Sequence, residues 1–261
     1  MIILDHESAS VVLVIRGTFS FKDVVMDVVC EDSEFLDGFA HSGFLDGSRM
    51  VLNKCSSILE TCLRDNFGYS LVVAGHSMGG SVAMMITMEL IRTDSFNILP
   101  PGVTVRCVAL GPAPVYRTVG AMPRVFRDNI HIYVNNRDVV PRLSLGSVAK
   151  ALMALREIDS LGLRLEEQLA VVMWRRDMET VTNRTRVRSV VSEVCQDKFQ
   201  FLYHPGTVFR VVSSESKTRA NVVMDSLEDT DDMAENLEIF ETMVSDHIHT
   251  SYRENFKKVN C

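Results

Sequence analysis

Leu71-Val72-Val73-Ala74-Gly75-His76-Ser77-Met78-Gly79-Gly80-Ser81 decides the fold of this chain. A short apolar run enters the segment, and a long one, Ser81 to Ile91, leaves it. Read as strand, turn and helix, Gly-x-Ser-x-Gly makes a sharp elbow that lifts a serine hydroxyl to the helix N-terminus. The turn is tight, so its flanking positions must be small, and glycine also tolerates the positive φ that such turns need. Backbone N–H groups of the first helical turn then face any negative charge that develops on an oxygen bound there. The pattern alone arises by chance in roughly one chain in ten of this length. A tight turn with a capping serine satisfies it equally well, so the surrounding sequence has to choose.

Working outward, Met1 to Leu4 and Ser10 to Ile15 read as strands joined by the polar turn Asp5-His6-Glu7-Ser8. The second is almost wholly β-branched, as in a strand covered on both faces. It ends at Arg16-Gly17-Thr18. Phe21, Val24, Val25, Val28 and Val29 have the spacing of a short amphipathic helix over 21–30. A glycine-containing loop is expected over 37–44, then a helix from Ser48 to Asn66 that stops at Phe67-Gly68. Further strands are expected at Val103 to Leu110 and Asn129 to Val134. Strands alternating with helices over 10–145 indicate a largely parallel sheet. Leu143 to Cys195 lacks proline and reads as two or three helices. Phe199 to Val212 and Ala220 to Met224 read as a strand pair, and Glu228 to Glu235 as an acidic surface loop. Ile239 to Val244 is apolar and leads to Asp246-His247-Ile248-His249.

The 261 residues are 46% hydrophobic and 23% charged, enough for one sizeable core and far from a disordered composition. A net charge of −7 with no long basic tract argues against nucleic acid as a partner. No run approaches the ~20 apolar residues of a membrane span. The N-terminus lacks a basic region and is interrupted by Asp5, His6 and Glu7, so it does not read as a signal peptide. Cys30, Cys55, Cys62, Cys107, Cys195 and Cys261 are scattered without a C-x-x-C pair, as expected of reduced thiols in a cytoplasmic chain.

A serine nucleophile needs a base, and the base needs an orienting acid; in α/β-hydrolases they follow in the order Ser, Asp or Glu, His. Asp138 lies four residues past the strand ending at Val134, where catalytic residues of such sheets collect. It also fits a plain turn aspartate. Three histidines lie downstream: His204, His247 and His249. His247 follows an apolar run, the expected place for a base. His204 precedes Pro205-Gly206 and reads as a turn residue, while His249 has similar reach with a sideways orientation. An oxyanion hole takes two donors: the backbone N–H of Met78, after the nucleophile, and that of Thr18, at the end of a neighbouring strand. A simple strand-ending turn would also explain Arg16-Gly17-Thr18. His247-x-His249 has no carboxylate or cysteine partner of metal-site spacing, so neither metal nor cofactor is expected.

Five motifs, in order, resemble the class 3 lipases, a group that includes the fungal triacylglycerol lipases: Val14-Ile15-Arg16-Gly17-Thr18 with Ser20, His41-Ser42-Gly43-Phe44-Leu45, Gly75 to Gly80, Asn136-Arg137-Asp138-Val139-Val140-Pro141, and Asp246-His247. Ser20-Phe21-Lys22-Asp23-Val24, Pro141-Arg142-Leu143-Ser144 and Leu202-Tyr203-His204-Pro205-Gly206 are similar to the sn-1-specific diacylglycerol lipases. The resemblance implies one α/β-hydrolase unit over 1–261, with a mostly parallel sheet, helices on both faces and a helical insert at about 143–198 between acid and base. It implies Ser77 as nucleophile, Asp138 as orienting acid, His247 as base, and Thr18 with Met78 as oxyanion hole. It also implies a lid at or near the helix over 21–30 and a regulatory role for the insert. The membrane-bound diacylglycerol lipases carry an N-terminal block of transmembrane helices that is not in this sequence. The chain therefore reads either as a small soluble member or as the catalytic fragment of a membrane-bound protein.

The function these residues point to is hydrolysis of a fatty-acyl ester of a glycerolipid, diacylglycerol at sn-1, through an acyl-enzyme. The alternatives are a phospholipase A1 or small-ester carboxylesterase on the same fold, and a lipase-like protein that binds a partner without turnover. The expected partner is a glycerolipid at a membrane or droplet surface, with peripheral contact. Arg175, Arg176, Arg184, Arg186 and Arg188 would then face anionic headgroups, or simply form a solvated helix face.

Overall fold

A computed structural model describes residues 1–17, 31–92, 99–160, 200–214, 216, 218–237 and 240–259. Its main sheet has seven strands: β1 (Ile2–Asp5), β2 (Ser10–Ile15), β5 (Ser70–His76), β6 (Val105–Leu110), β8 (Ile130–Asn135), β9 (Thr207–Ser213) and β10 (Ala220–Met224). They stand side by side in that order. The four inner pairings, β2–β5, β5–β6, β6–β8 and β8–β9, are parallel, and only the outer pairs β1–β2 and β9–β10 are antiparallel. A second sheet of three short antiparallel strands joins β3 (Asp32–Phe35), β4 (Gly38–His41) and β7 (Tyr116–Thr118).

Register places Leu71 beside Val11 and Val105, Val73 beside Leu13 and Cys107, and Cys107 beside Ile130. Because successive side chains alternate between faces, this set forms one continuous buried layer, which Ile132 and Val134 extend. Helix α1 (Ser42–Asp65) and helix α2 (Met78–Arg92) cover it. In α1, Leu45, Leu52, Leu59 and Leu63 recur at helical spacing and are buried. Helix α2 is apolar almost all round, because it lies between sheet and α1; Ala83, Met84, Met85, Ile86 and Met88 have no exposure. Its one buried acid, Glu89, is paired with Arg49 at 3.0 Å and accepts from Ser48 Oγ at 2.9 Å. An unpaired charge there would be costly.

The opposite sheet face carries aromatic residues. Tyr133 stacks on Phe209 at 5.3 Å and meets Phe256 edge-on at 5.5 Å. Phe256 ends α7 (His249–Phe256), which follows α6 (Met243–His247). Helices therefore lie on both faces of a mostly parallel sheet, an α/β-hydrolase architecture. Helices α3 (Arg124–Asn129), α4 (Leu145–Ser160) and α5 (Leu227–Glu235) complete the described elements, with a single 3-10 turn at Val140–Arg142.

Several expectations change. The long helix begins at Ser42 rather than Ser48, and Gly38–His41 is strand β4 rather than loop, because it pairs with both β3 and β7. The acidic stretch 228–235 is helix α5, not a loop. Ser226 Oγ accepts from Asp229 N at 3.1 Å as N-cap, Glu228 and Asp229 suit the positive N-terminus, and Met233 and Ala234 are buried beneath. The strand expected from Phe199 starts only at Thr207, after Pro205-Gly206. Helix α4 begins the expected insert; 161–199, with its five arginines, lies outside the described residues, as does the expected helix and lid over 21–30.

Candidate active site

Strand β5 hands the chain to α2 through Ser77, whose φ is 59°. The positive φ therefore falls on the serine itself, not on a flanking glycine. The glycines are needed instead for close approach. A side chain on Gly75 would collide with the backbone of Gly79 and Gly80, and one on Gly79 with that of Ile15, Arg16 and Gly17. Ser77 N donates to Leu110 O at 2.8 Å, while Ser77 O accepts from Gly80 N at 2.8 Å. The strained conformation is thus held from the neighbouring strand and from its own helix.

Three side chains converge here from distant parts of the chain. His247 Nε2 lies 2.8 Å from Ser77 Oγ. His247 Nδ1 lies 2.9 and 3.0 Å from the two carboxylate oxygens of Asp138. An ionised carboxylate only accepts, so Nδ1 carries the proton and Nε2 is left to accept from the serine hydroxyl. Ser77 is 1% exposed and Asp138 has no exposure, whereas the His247 side chain keeps 12%. Asp138 Oδ1 also accepts from Val140 N at 2.9 Å, and Oδ2 accepts from the Tyr252 hydroxyl at 2.6 Å. Burial, and then the adjacent Asp138 charge, push the Tyr252 hydroxyl well above the ordinary phenol range, so it remains a donor.

The other histidines fall elsewhere. His204 precedes a bend at Pro205-Gly206 and is buried: it is 4% exposed, and its Nε2 donates to Pro141 O at 2.9 Å. His249 is exposed at the start of α7. Met78 opens α2 directly after the serine, where main-chain N–H groups of a helix lack intrahelical acceptors. Thr18 lies outside the described residues. Gly17, just before it, packs so closely on the elbow that a side chain there would strike His76 O. Among the described residues, no group of three His, Cys, Asp or Glu side chains is arranged to hold a metal.

Sequence reasoning missed the framework around these groups. Asn135 has no exposure and ends β8. Its Nδ2 donates to Asp246 O at 2.9 Å and Ser251 Oγ at 3.0 Å, its Oδ1 accepts from Asn255 Nδ2 at 2.7 Å, and its N–H donates to Tyr252 OH at 3.0 Å. One buried amide thereby ties the strand before Asp138 to the helix that ends in His247 and to the one that follows it. Its adjacency to Asn136-Arg137-Asp138 was the only local signal; its partners lie more than a hundred residues away.

The class 3 lipase family, described as Lipase (class 3), matches residues 12–147, just over half of the chain. Human diacylglycerol lipase-alpha is 31% identical over 159 residues, 56% of this chain and 14% of that protein. Mouse diacylglycerol lipase-beta is 29% identical over 153 residues, covering 56% and 22% respectively. The secreted mono- and diacylglycerol lipase A of Penicillium cyclopium is 29% identical over 153 residues, 56% of this chain and 47% of that one. The chain thus spans less than half the length of each of these relatives. Among solved structures, a mutant form of MDLA from Penicillium cyclopium superposes with a TM-score of 0.59 at 19% identity, over 95% of this chain and 72% of that chain. A triacylglycerol lipase whose catalytic centre is a serine protease triad gives 0.55 at 15% identity, over 92% and 70%. These likenesses establish the shared fold, and with the family match over residues 12–147 the chain belongs to the class 3 lipases.

Proposed function

We propose that this chain is a serine hydrolase that cleaves a fatty-acyl ester of a glycerolipid, with the sn-1 ester of diacylglycerol as its substrate. The observation that carries the reading is the unbroken hydrogen-bonded line from Ser77 Oγ to His247, 2.8 Å, and on to Asp138, 2.9 Å. A nucleophile, a base within reach of it and an acid that orients the base are the parts acyl transfer requires. The substrate class rests on the relatives named as diacylglycerol lipases.

In this reading His247 Nε2 takes the Ser77 proton as Oγ attacks the ester carbonyl. The new oxyanion is met by the main-chain N–H of Met78 and by that of Thr18. Each such donor is worth on the order of 10²–10³ in rate. The imidazolium formed at His247, stabilised by Asp138, then protonates the departing glycerol oxygen and leaves a Ser77 acyl ester. Water activated by the same imidazole releases the fatty acid and regenerates the serine. The lipid is drawn from a membrane or droplet surface with which the protein makes peripheral contact. No helix among the described residues is long and apolar enough to cross a membrane.

The test is Ser77→Ala, assayed on p-nitrophenyl butyrate and on a panel of sn-1- and sn-2-labelled diacylglycerols and phospholipids. Loss of all turnover, with the wild type releasing the sn-1 chain of diacylglycerol, is the expected result. Ester turnover persisting in Ser77→Ala would end the serine mechanism. Preference for phospholipid would replace the substrate while leaving the chemistry in place.

A further inference from the structure

His76, the side chain beside the serine, takes no part in the chemistry above. It closes β5 and leaves the sheet on the face opposite the buried layer, in the row His76, Leu110, Tyr133, Phe209. Two contacts tie it to one residue. Its ring lies over that of His247, with centroids 4.8 Å apart and planes 27° from parallel. Its Nε2 is 2.8 Å from the main-chain oxygen of His247. A carbonyl only accepts, so Nε2 bears the proton and donates. Tyr252 also meets His76 edge-on, at 5.5 Å.

We propose that His76 is a positioning residue for the base: it anchors the main chain of His247 at its carbonyl and sets the plane of its imidazole from the face. The proposal rests on the serine-hydrolase reading. Its geometric reason is that the partners Asp138 and Ser77 grip His247 at Nδ1 and Nε2. Those two bonds act in the ring plane at its two nitrogens and resist tilt of the ring only weakly. A face contact removes the tilt, and the carbonyl bond fixes where the ring hangs from the backbone. The arrangement needs a neutral His76, because His247 becomes positive during acyl transfer and like charges at this distance repel. Burial foremost, and the His247 charge next, hold His76 below the ordinary imidazole range; its bond to the His247 carbonyl and the Asp138 charge pull upward, and His249 downward.

The test uses His76→Ala, which removes ring and donor, His76→Gln, which restores a donor of similar reach, and His76→Phe, which restores a ring face. Each variant is measured for its rate of labelling by a fluorophosphonate, for kcat and KM on p-nitrophenyl butyrate, and for its melting midpoint. In His76→Ala, labelling rate and kcat should fall about 10²-fold, the scale of a misplacement near 1 Å at a reacting group. KM should stay within about twofold, as when only transition-state interactions are lost. His76→Gln and His76→Phe should each recover part of the loss. Wild-type labelling in His76→Ala, a change confined to KM, or a loss that disappears once the folded fraction is counted would each overturn the assignment. A wild-type protein that fails to label would overturn the hydrolase reading instead, so the two failures are told apart.

Discussion

At the scale of single residues, the site is set by what each atom can donate or accept. Asp138 receives a main-chain N–H, the imidazole Nδ1–H and a phenol O–H, and Tyr252 supplies the last while accepting from Asn135 N. Tyr252→Phe removes a donor from a buried carboxylate and leaves a buried N–H without its acceptor. Unsatisfied buried groups cost about 1–3 kcal/mol each. Urea unfolding of this variant should show a loss of that size, and kcat should fall about tenfold because Asp138 loses one of the bonds that orient it. An unchanged unfolding midpoint would mean that water replaces the hydroxyl. Ser77 was legible in the sequence because its requirement is local: small residues on either side, an apolar run before and another after. Tyr252 was not, because its partners Asn135 and Asp138 stand 117 and 114 positions away.

At the scale of elements, two devices build the site. One is the crossing of β5 into α2, possible because Gly75 and Gly79 have no side chains to separate the turn from itself and from residues 15–17. The other is the docking of α6 and α7 onto the aromatic sheet face, where Tyr133, Phe209 and Phe256 meet and the Asn135 amide joins strand to helix. Helix α5 illustrates what charge counting overlooks. Read by composition, 228–235 is acidic and belongs in solvent; read by position, Ser226, Glu228 and Asp229 are a helix start. Ser226→Ala should destabilise the protein by about 1 kcal/mol, the usual worth of an N-cap. Urea denaturation measures this, and ester turnover should not change, since α5 holds none of the reacting groups. A stability loss too small to detect would mean that the cap of α5 is redundant.

At the scale of the molecule, the sheet with its two helical coats determines which ionisable groups may carry charge. His204 is enclosed, donates to Pro141 O through Nε2, and has no hydrogen-bond partner at Nδ1 among the described residues. Protonation would bury a charged N–H with no acceptor, so burial lowers its pKa from 6.5 to about 4. Between these values the unfolded chain binds a proton that the folded chain refuses. The contribution of the neutral His204 to stability is therefore full above pH 6.5 and declines as pH falls towards 4, by about 3 kcal/mol in all. His204→Gln keeps a donor for Pro141 and does not titrate, so its unfolding free energy should fall less than that of the wild type between pH 7 and pH 5. Equal slopes would show that His204 is not the group responsible. By itself the sequence determined the alternation of strand and helix, the elbow at Ser77 and the order of serine, acid and histidine, because periodicity, turn chemistry and residue type are read from neighbours along the chain. The sequence also favoured His247 over His204 and His249 as the partner of Ser77, and the tertiary structure brings that histidine to the serine; only the tertiary structure decided that the elbow's positive φ falls on Ser77 and that His76, Asn135 and Tyr252 are gathered around His247 and Asp138. The contacts around His247 depend on packing between segments more than a hundred residues apart, and for the strand residues His76 and Asn135 a shift of one residue would turn the side chain to the other face.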